Sequence, residues 1–510
     1  MNSVSALFSA GGFQWILLSL SLAFIVVYSL FYLAVGLYNL YFHPLARYPG
    51  PLLGRASSLW YARSLARGTV AQDTLKLHEK YGDVVRIAPD ELSFIQPENW
   101  SAIYGHQLGK DYRELIKDPR YHDTVKPTPT ILTGDWDEHT FYRKILSNSF
   151  SEKSLKDQEH ILHHFVDLFV QRLKETSAEG TRELNMTDQW NYLTFDVIGF
   201  LAYGEEFHCL TSSKLHDWIE AMLCVAILMS LGQAARHLPF PFDKIYKQWA
   251  IPSNVKRQVA LHRDLTEIKL QGKLQNRLQH EPQHQDVMKR MIALYKKGDI
   301  PYSVLKEHAN ILTIGGSETT ATLLAGATFH LGKNPPVLQK LATEIRTTFA
   351  NDGEITVARL SECKYLLATV EECLRIYPPS PANHTRMVPK EGIVLNDQHI
   401  PGGIGVGMPM YAAFRASSNF TYPDRFAPER WLGDPMYSKD KKGALQPFSF
   451  GPRNCLGRHL AYQEIKLALA KLVYHFDLEL NPKCGDWDEQ KNFTFWVKPP
   501  LWVNLHPVKS

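Results

Sequence analysis

Apolar residues run from Phe13 to Leu40 with no polar face, and no Asp, Glu, Lys or Arg occurs before Arg47. A helix needs roughly 20 apolar residues to cross the hydrocarbon core of a bilayer, so this run is long enough to span it. A cleaved signal sequence would have a shorter apolar stretch behind a basic leader, and a core helix of a globular body would carry a polar stripe. The expectation is an uncleaved membrane anchor over residues 1–46, followed by a single body over residues 47–510. Arg47, Arg55, Arg63 and Arg67 follow the span and no charge precedes it. The positive-inside rule therefore puts the body on the cytosolic side. His43-Pro44 and Tyr48-Pro49-Gly50-Pro51 read as a stiff hinge, because proline fixes φ and bars continuation of a helix.

Beyond the hinge the period changes. Val84 to Ile87 and Leu92 to Ile95 are β-rich runs on either side of Ala88-Pro89-Asp90, which predicts a hairpin. Most of the middle has helical spacing. Pro301 can open a long helix reaching about Gly332, which Asn334-Pro335-Pro336 closes. Another helix is expected from about Ala358 to Ile376, ending before Pro378-Pro379. Short strands with Gly and Pro turns follow from about Gly392 to Ala412, and Leu456 to Tyr474 predicts a further amphipathic helix. The fold class is mainly α with small β-sheets, an α+β arrangement behind a transmembrane helix.

Composition changes this picture little. The chain is 45% hydrophobic and 21% charged, as ordinary globular proteins are. Its 56 basic and 52 acidic residues nearly balance, so nothing points to a nucleic-acid partner. The six cysteines form no Cys-x-x-Cys pair, which indicates neither a zinc site nor a disulfide framework. His160 and His164 stand at i, i+4 without a third zinc ligand and read as an exposed helical face. The glycine run Gly402 to Gly407 lacks a βαβ context and reads as strand turns.

Chemistry is concentrated in Phe448-x-x-Gly451-x-Arg453-x-Cys455-x-Gly457. Cys455 lies just before a predicted helix, where free N–H groups and the helix dipole favour a thiolate. Gly451 and Gly457 would let the backbone turn tightly and come close to a flat cofactor. A second cluster, Gly315-Gly316-Ser317-Glu318-Thr319-Thr320, interrupts the long helix with adjacent glycines that cost about 1 kcal/mol each there. Room for a small reactant and local widening of the helix would justify that cost; an N-cap or kink between two shorter helices is the competing explanation.

On these motifs the chain resembles the cytochrome P450 superfamily, over essentially its whole length and with particular likeness to filamentous-fungal members. The resemblance implies haem b, iron protoporphyrin IX, with Cys455 as the axial ligand; such a ligand makes the iron electron-rich and favours O–O cleavage. It implies that Thr319 hydrogen-bonds oxygen at the iron and that Glu318 helps relay protons. It also implies that Phe448, Gly451 and Gly457 shape the haem-binding loop. Arg453, Arg386, Arg143 and His139 are the candidates for the haem propionates, His139 standing where many relatives have Trp. Glu372, Arg375 and Arg430 would form a buried network bracing the cysteine loop, with Trp431 in place of the commoner Phe.

The implied activity is insertion of one oxygen atom from O₂ into an apolar small molecule, as in fungal terpenoid, polyketide or alkaloid biosynthesis. Alternatives are a haem-thiolate isomerase or dehydratase, or a haem- or steroid-binding membrane protein without turnover. No flavin or NADPH module fits in the body. Electrons are therefore expected from NADPH-cytochrome P450 reductase, docking near Arg458 and Lys466, at the endoplasmic reticulum membrane.

Overall fold

Helix α1, Ala10–Tyr41, is the apolar run. Its span Phe13–Tyr41 has 0% of its most apolar window buried. Helix Asp217–Arg236 is also long and apolar enough to cross a bilayer, but 56% of its window is packed inside the body, as a core helix would be. The structure, a computed structural model, describes residues 10–107, 109–110, 112–121, 128–213, 217–279 and 287–508.

The proline-rich segment after α1 is packed rather than free. Strands β1, Val84–Ala88, and β2, Glu91–Phe94, form the expected hairpin. From β1 the fully buried Arg86 donates to the carbonyl of Asn39, in the last turn of α1, at 2.8 Å, and to Pro89 O at 2.6 and 2.9 Å. A Cβ on Gly50 would lie 2.2 Å from Arg86 O. Asn39 donates in turn to Ala56 O at 2.9 Å. The expected hinge is thus a clamp. Sequence reading missed this because its decisive residue lies some 40 positions downstream, inside a strand.

β2 pairs in parallel with β4, Gly405–Gly407, and β4 pairs antiparallel with β3, Arg386–Met387. The segment expected as strand up to Ala412 becomes helical at Met410–Arg415. A second sheet joins Leu184–Asn185 and β5, Phe476–Leu480, to β8, Trp502–Pro507. Between lie the two-residue strands β6, Asn492–Phe493, and β7, Trp496 with Phe495.

Helices supply the main core. Helix α2 is Trp136–Ser147, opened by a reciprocal capping box between Asp135 and Glu138. Helix α3, Met186–Tyr203, lies along α4, Tyr302–Lys333, which runs unbroken, so the two-helix alternative falls. Polar bridges tie them: Trp190 Nε1 to Thr328 Oγ1 at 2.9 Å and Tyr203 OH with Thr313 Oγ1 at 2.9 Å.

Helix α5 spans Lys364–Ile376, opening later than expected because Arg359–Glu362 is a 3₁₀ turn that breaks at Cys363. The carboxylate of Glu344 accepts from the amides of Tyr365 and Leu366 at 2.7 and 2.8 Å, satisfying the first turn. That cap comes from another helix, so no local signal announces the start.

Helix α6, Arg458–His475, buries Glu464, whose Oε1 has no hydrogen-bond partner. Burial pushes its carboxyl up to about 8. The unfolded chain titrates near the ordinary carboxylate value, about 4.3. The folded state thus favours the protonated form. The cost of Glu464 is absent below that value, grows as pH rises, and levels off above pH 8. Glu464→Gln should accordingly stabilise the protein, on the order of 3 kcal/mol near neutrality. Thermal melting at pH 5 and pH 8.5 checks this: the gap between variant and wild type should widen at the higher pH, and a constant gap refutes it.

Candidate active site

The cysteine loop is built largely from backbone. Cys455 N donates to Phe448 O at 2.8 Å, closing the loop on itself. Gly451 adopts φ +76°, and a Cβ there would lie 2.0 Å from Tyr104 O, so only glycine fits. Gly457 has φ −83° with its nearest Cβ neighbour 3.9 Å away. It is therefore not a turn glycine; it leaves space beside the sulfur. The Phe448 ring stands 5.2 Å from that of Tyr462, with the Arg458 guanidinium 5.9 Å above it.

Cys455 is exposed at this inner surface, yet lies deep enough that burial pushes its thiol up. The Gly457 amide and the charges of Arg143 and Arg458 oppose that push. Helix α6 opens at Arg458 rather than at Leu456, so a single amide reaches the sulfur in place of a whole first turn.

Around the loop gathers a crowd of cations. Arg453 grips Glu114 through Nε at 2.8 Å and Nη2 at 2.6 Å, while its buried Nη1 has no partner among the described residues. Arg386, on β3, forms an isolated bridge with Lys117 and lies 5.3 Å over the Tyr104 ring. His139, on α2, is buried, and its Nδ1 has no partner. Desolvation, then Arg453, Arg143, Lys117 and Arg386, push His139 down to about 3. Desolvation and the same arginines, Arg453 and Arg386, bring Lys117 down to about 6. Arg143 reaches the loop itself: its Nη1 donates to Asn454 O at 2.6 Å and its Nη2 to the Asn454 side chain, so it braces the residue before the cysteine.

On α4 the two glycines part company. Gly315 has open space where a side chain would be, whereas a Cβ on Gly316 would lie 2.5 Å from Ile198 of α3. Gly316 serves helix packing, and α4 shows no widening there. Thr319 faces the same side as Gly315 and donates its hydroxyl to Gly315 O at 2.7 Å. Glu318 points elsewhere, ion-paired with Lys498 and accepting from Thr322 Oγ1 at 3.2 Å.

Below the loop, Glu372 receives Arg375 Nε and Nη2, each at 2.8 Å, with both side chains at 0% exposure. It also receives Arg430 Nε at 3.3 Å, Ala427 N at 2.9 Å and Trp431 Nε1 at 3.0 Å. Trp431 therefore adds a bond that Phe could not. Arg430 completes the network on Asp440.

A family model described as Cytochrome P450 matches residues 46–503. The chain belongs to the cytochrome P450 family. This cytochrome P450 is 94% identical, over 100% of both chains, to cytochrome P450 monooxygenase hepD of Aspergillus oryzae. It is 39% identical to cytochrome P450 monooxygenase cpaH of Aspergillus oryzae, over 93% of this chain and 91% of that protein. Averantin hydroxylase of Dothistroma septosporum is 39% identical, over 92% and 88% respectively. The protein is a cytochrome P450 monooxygenase, whose family uses haem iron, a redox partner and an organic substrate.

The residues of this P450 fit such a cofactor. Crowded cations with suppressed charge, an orphaned Arg453 nitrogen and an orphaned His139 nitrogen describe a place short of negative charge, and two carboxylates would supply it. Lys117 belongs to this group although no motif pointed to it. It is joined to Arg386 by strand-like pairing between distant segments, which sequence spacing does not show. Lys498 had a faint signal, a lone charge in Trp496-Val497-Lys498-Pro499-Pro500.

Proposed function

We propose that this P450 binds haem b through Cys455 and oxidises an apolar small molecule in fungal secondary-metabolite biosynthesis, of terpenoid, polyketide or alkaloid type. The observation that carries this reading is the Cys455 loop, closed by backbone and flanked by buried nitrogens of Arg453 and His139 that have no partner among the described residues. The fungal relatives named as monooxygenases and as averantin hydroxylase support oxidation of an organic molecule.

When bound, haem iron supplies dioxygen activation, and a bound cation deprotonates a thiol outright, which would overcome the burial that raises Cys455. Arg386, Lys117, His139 and the free nitrogen of Arg453 would hold the propionates. Arg143 fixes Asn454 and thereby the position of Cys455. Gly315 leaves space for reactants, and the Thr319 hydroxyl beside it rests on Gly315 O and hands on a proton once it turns from that carbonyl. Thr319→Ala should keep NADPH consumption but divert reducing equivalents into peroxide, raising the peroxide-to-product ratio on the order of tenfold. Undiminished coupling, measured as product formed per NADPH, removes the assignment.

We place residues 1–46 in the endoplasmic reticulum membrane and the body from residue 47 on its cytosolic side. The uncharged leader and the following arginines support that orientation. A second apolar surface supports a seat on the bilayer: Phe240, Phe242, Ile245 and Trp249 are exposed, and Tyr28, midway along α1, donates to Phe240 O at 2.6 Å, which sets this patch beside the span. NADPH-cytochrome P450 reductase is the proposed electron donor, with exposed Arg458 on its docking face; half-buried Lys466 contributes less.

The test is the purified haem-loaded chain with that reductase. The expected result is the thiolate-type ferrous–carbonyl absorption band and NADPH-dependent incorporation of one atom of labelled dioxygen. A band of imidazole type, or no incorporation into any pathway intermediate, overturns the reading.

A further inference from the structure

Glu318 and Thr319 are adjacent in sequence but are not engaged with each other. The Thr319 hydroxyl proton is spent on Gly315 O, one turn back along α4. The Glu318 carboxylate is turned the other way, to Thr322, one turn forward. Lys498 holds it there: its ammonium pairs with Glu318 Oε1 and donates to Thr322 Oγ1 at 2.7 Å. Both charged side chains are only 5% exposed. A carboxylate so deeply placed needs a partner, and Lys498 supplies it and so decides the direction of Glu318.

The rest of the surroundings fix the ammonium. Lys498 follows β7 by two residues, and Trp496 on that strand donates to Pro378 O at 2.8 Å and stacks on Tyr377 at 5.3 Å. Tyr377 in turn donates to Gln490 at 2.7 Å. The C-terminal hairpin is thereby locked to the segment that follows α5, and Lys498 is delivered to α4 by a rigid support.

We propose that Lys498 is a positioning residue for proton delivery: it keeps the Glu318 carboxylate docked on Thr322, and Glu318 serves Thr319 only by swinging from that docked state. Lys498 acts through Glu318 and touches no reacting atom. The inference rests on the monooxygenase reading above.

The experiment uses the haem-loaded full chain with reductase. Lys498→Met and Glu318→Gln should each lower product turnover about tenfold or more and at least double the solvent isotope effect. The double variant should be no worse than either single variant, since the two side chains work as a unit. Lys498→Arg should restore most of the turnover. Melting gives a reading independent of turnover. Each single variant leaves a buried charge unpaired, so the double variant should melt closer to wild type than either single one.

Multiplying turnover losses in the double variant, or a Lys498→Met isotope effect equal to wild type, overturns the assignment. Absence of the thiolate-type band in the wild type is a different failure, since it defeats the reading of the whole site while leaving the melting cycle interpretable.

Discussion

Replacing Cys455 by alanine should abolish product turnover and the thiolate-type ferrous–carbonyl band while leaving the body folded. The loop does not depend on the sulfur for its shape. Its closing bond runs between the backbone of Cys455 and Phe448, and alanine keeps it. The tight turn belongs to Gly451 against Tyr104, and the brace to Arg143 on Asn454. Among the described residues the sulfur meets the Gly457 amide and feels the charges of Arg143 and Arg458. Removing it therefore deletes the axial ligand and little else. Turnover should fall below detection, because no neighbouring side chain offers iron an anionic sulfur; Cys484, the other cysteine not fully buried, is tied to Trp502 on the second sheet. Melting temperature of the haem-free protein should stay within a few degrees of wild type. Turnover surviving in the variant would show that the ligand lies elsewhere.

The second large effect is expected at Glu372. Two guanidinium groups, an indole N–H and a backbone amide converge on this single carboxylate, and all the charged partners are buried. Glu372→Ala strands Arg375 without an acid, and Arg375 is left with the carbonyls of Phe414, Pro423 and Arg425. Arg430 keeps Asp440, so its loss is smaller. Breaking a buried pair from one side costs about 3–5 kcal/mol, a large share of the 5–15 kcal/mol by which a folded protein is stable. The variant should be recovered mostly as insoluble or haem-free protein, judged by haem content per chain and by melting. Glu372→Ala with wild-type haem content would refute the bracing role. The Trp431 bond can be separated: Trp431→Phe should lose about 1 kcal/mol, the value of one hydrogen bond.

The sequence carried the parts of this molecule that depend on local period and local turn chemistry. The apolar run became α1, the β-rich runs around Pro89 became a hairpin, and Pro301 opened a helix that runs to Lys333. The buried triad of Glu372, Arg375 and Arg430 was also legible, because its members sit in recognisable motifs. What escaped is what distant segments impose on one another. Helix α5 starts where Glu344 caps it, not where its own residues begin to favour helix. Gly316 is demanded by Ile198 on another helix, so a glycine pair that looked like one device is two. Glu318 was expected to work beside Thr319, and the reason it is turned away lies 180 residues further on, at Lys498. The bond from Arg143, a propionate candidate in sequence, to Asn454 joins two segments 311 residues apart.

The clamp made by Arg86 has a mechanical consequence. Its guanidinium, lowered by burial to about 10 and with Pro89 and Asn39 carbonyls as partners, welds the last turn of α1 to the first sheet. Leverage then passes between bilayer and catalytic body without slack. A thinner or thicker lipid layer cannot be accommodated by bending at the junction, so it must tip the whole body and carry the apolar patch around Trp249 deeper into, or further out of, the headgroups.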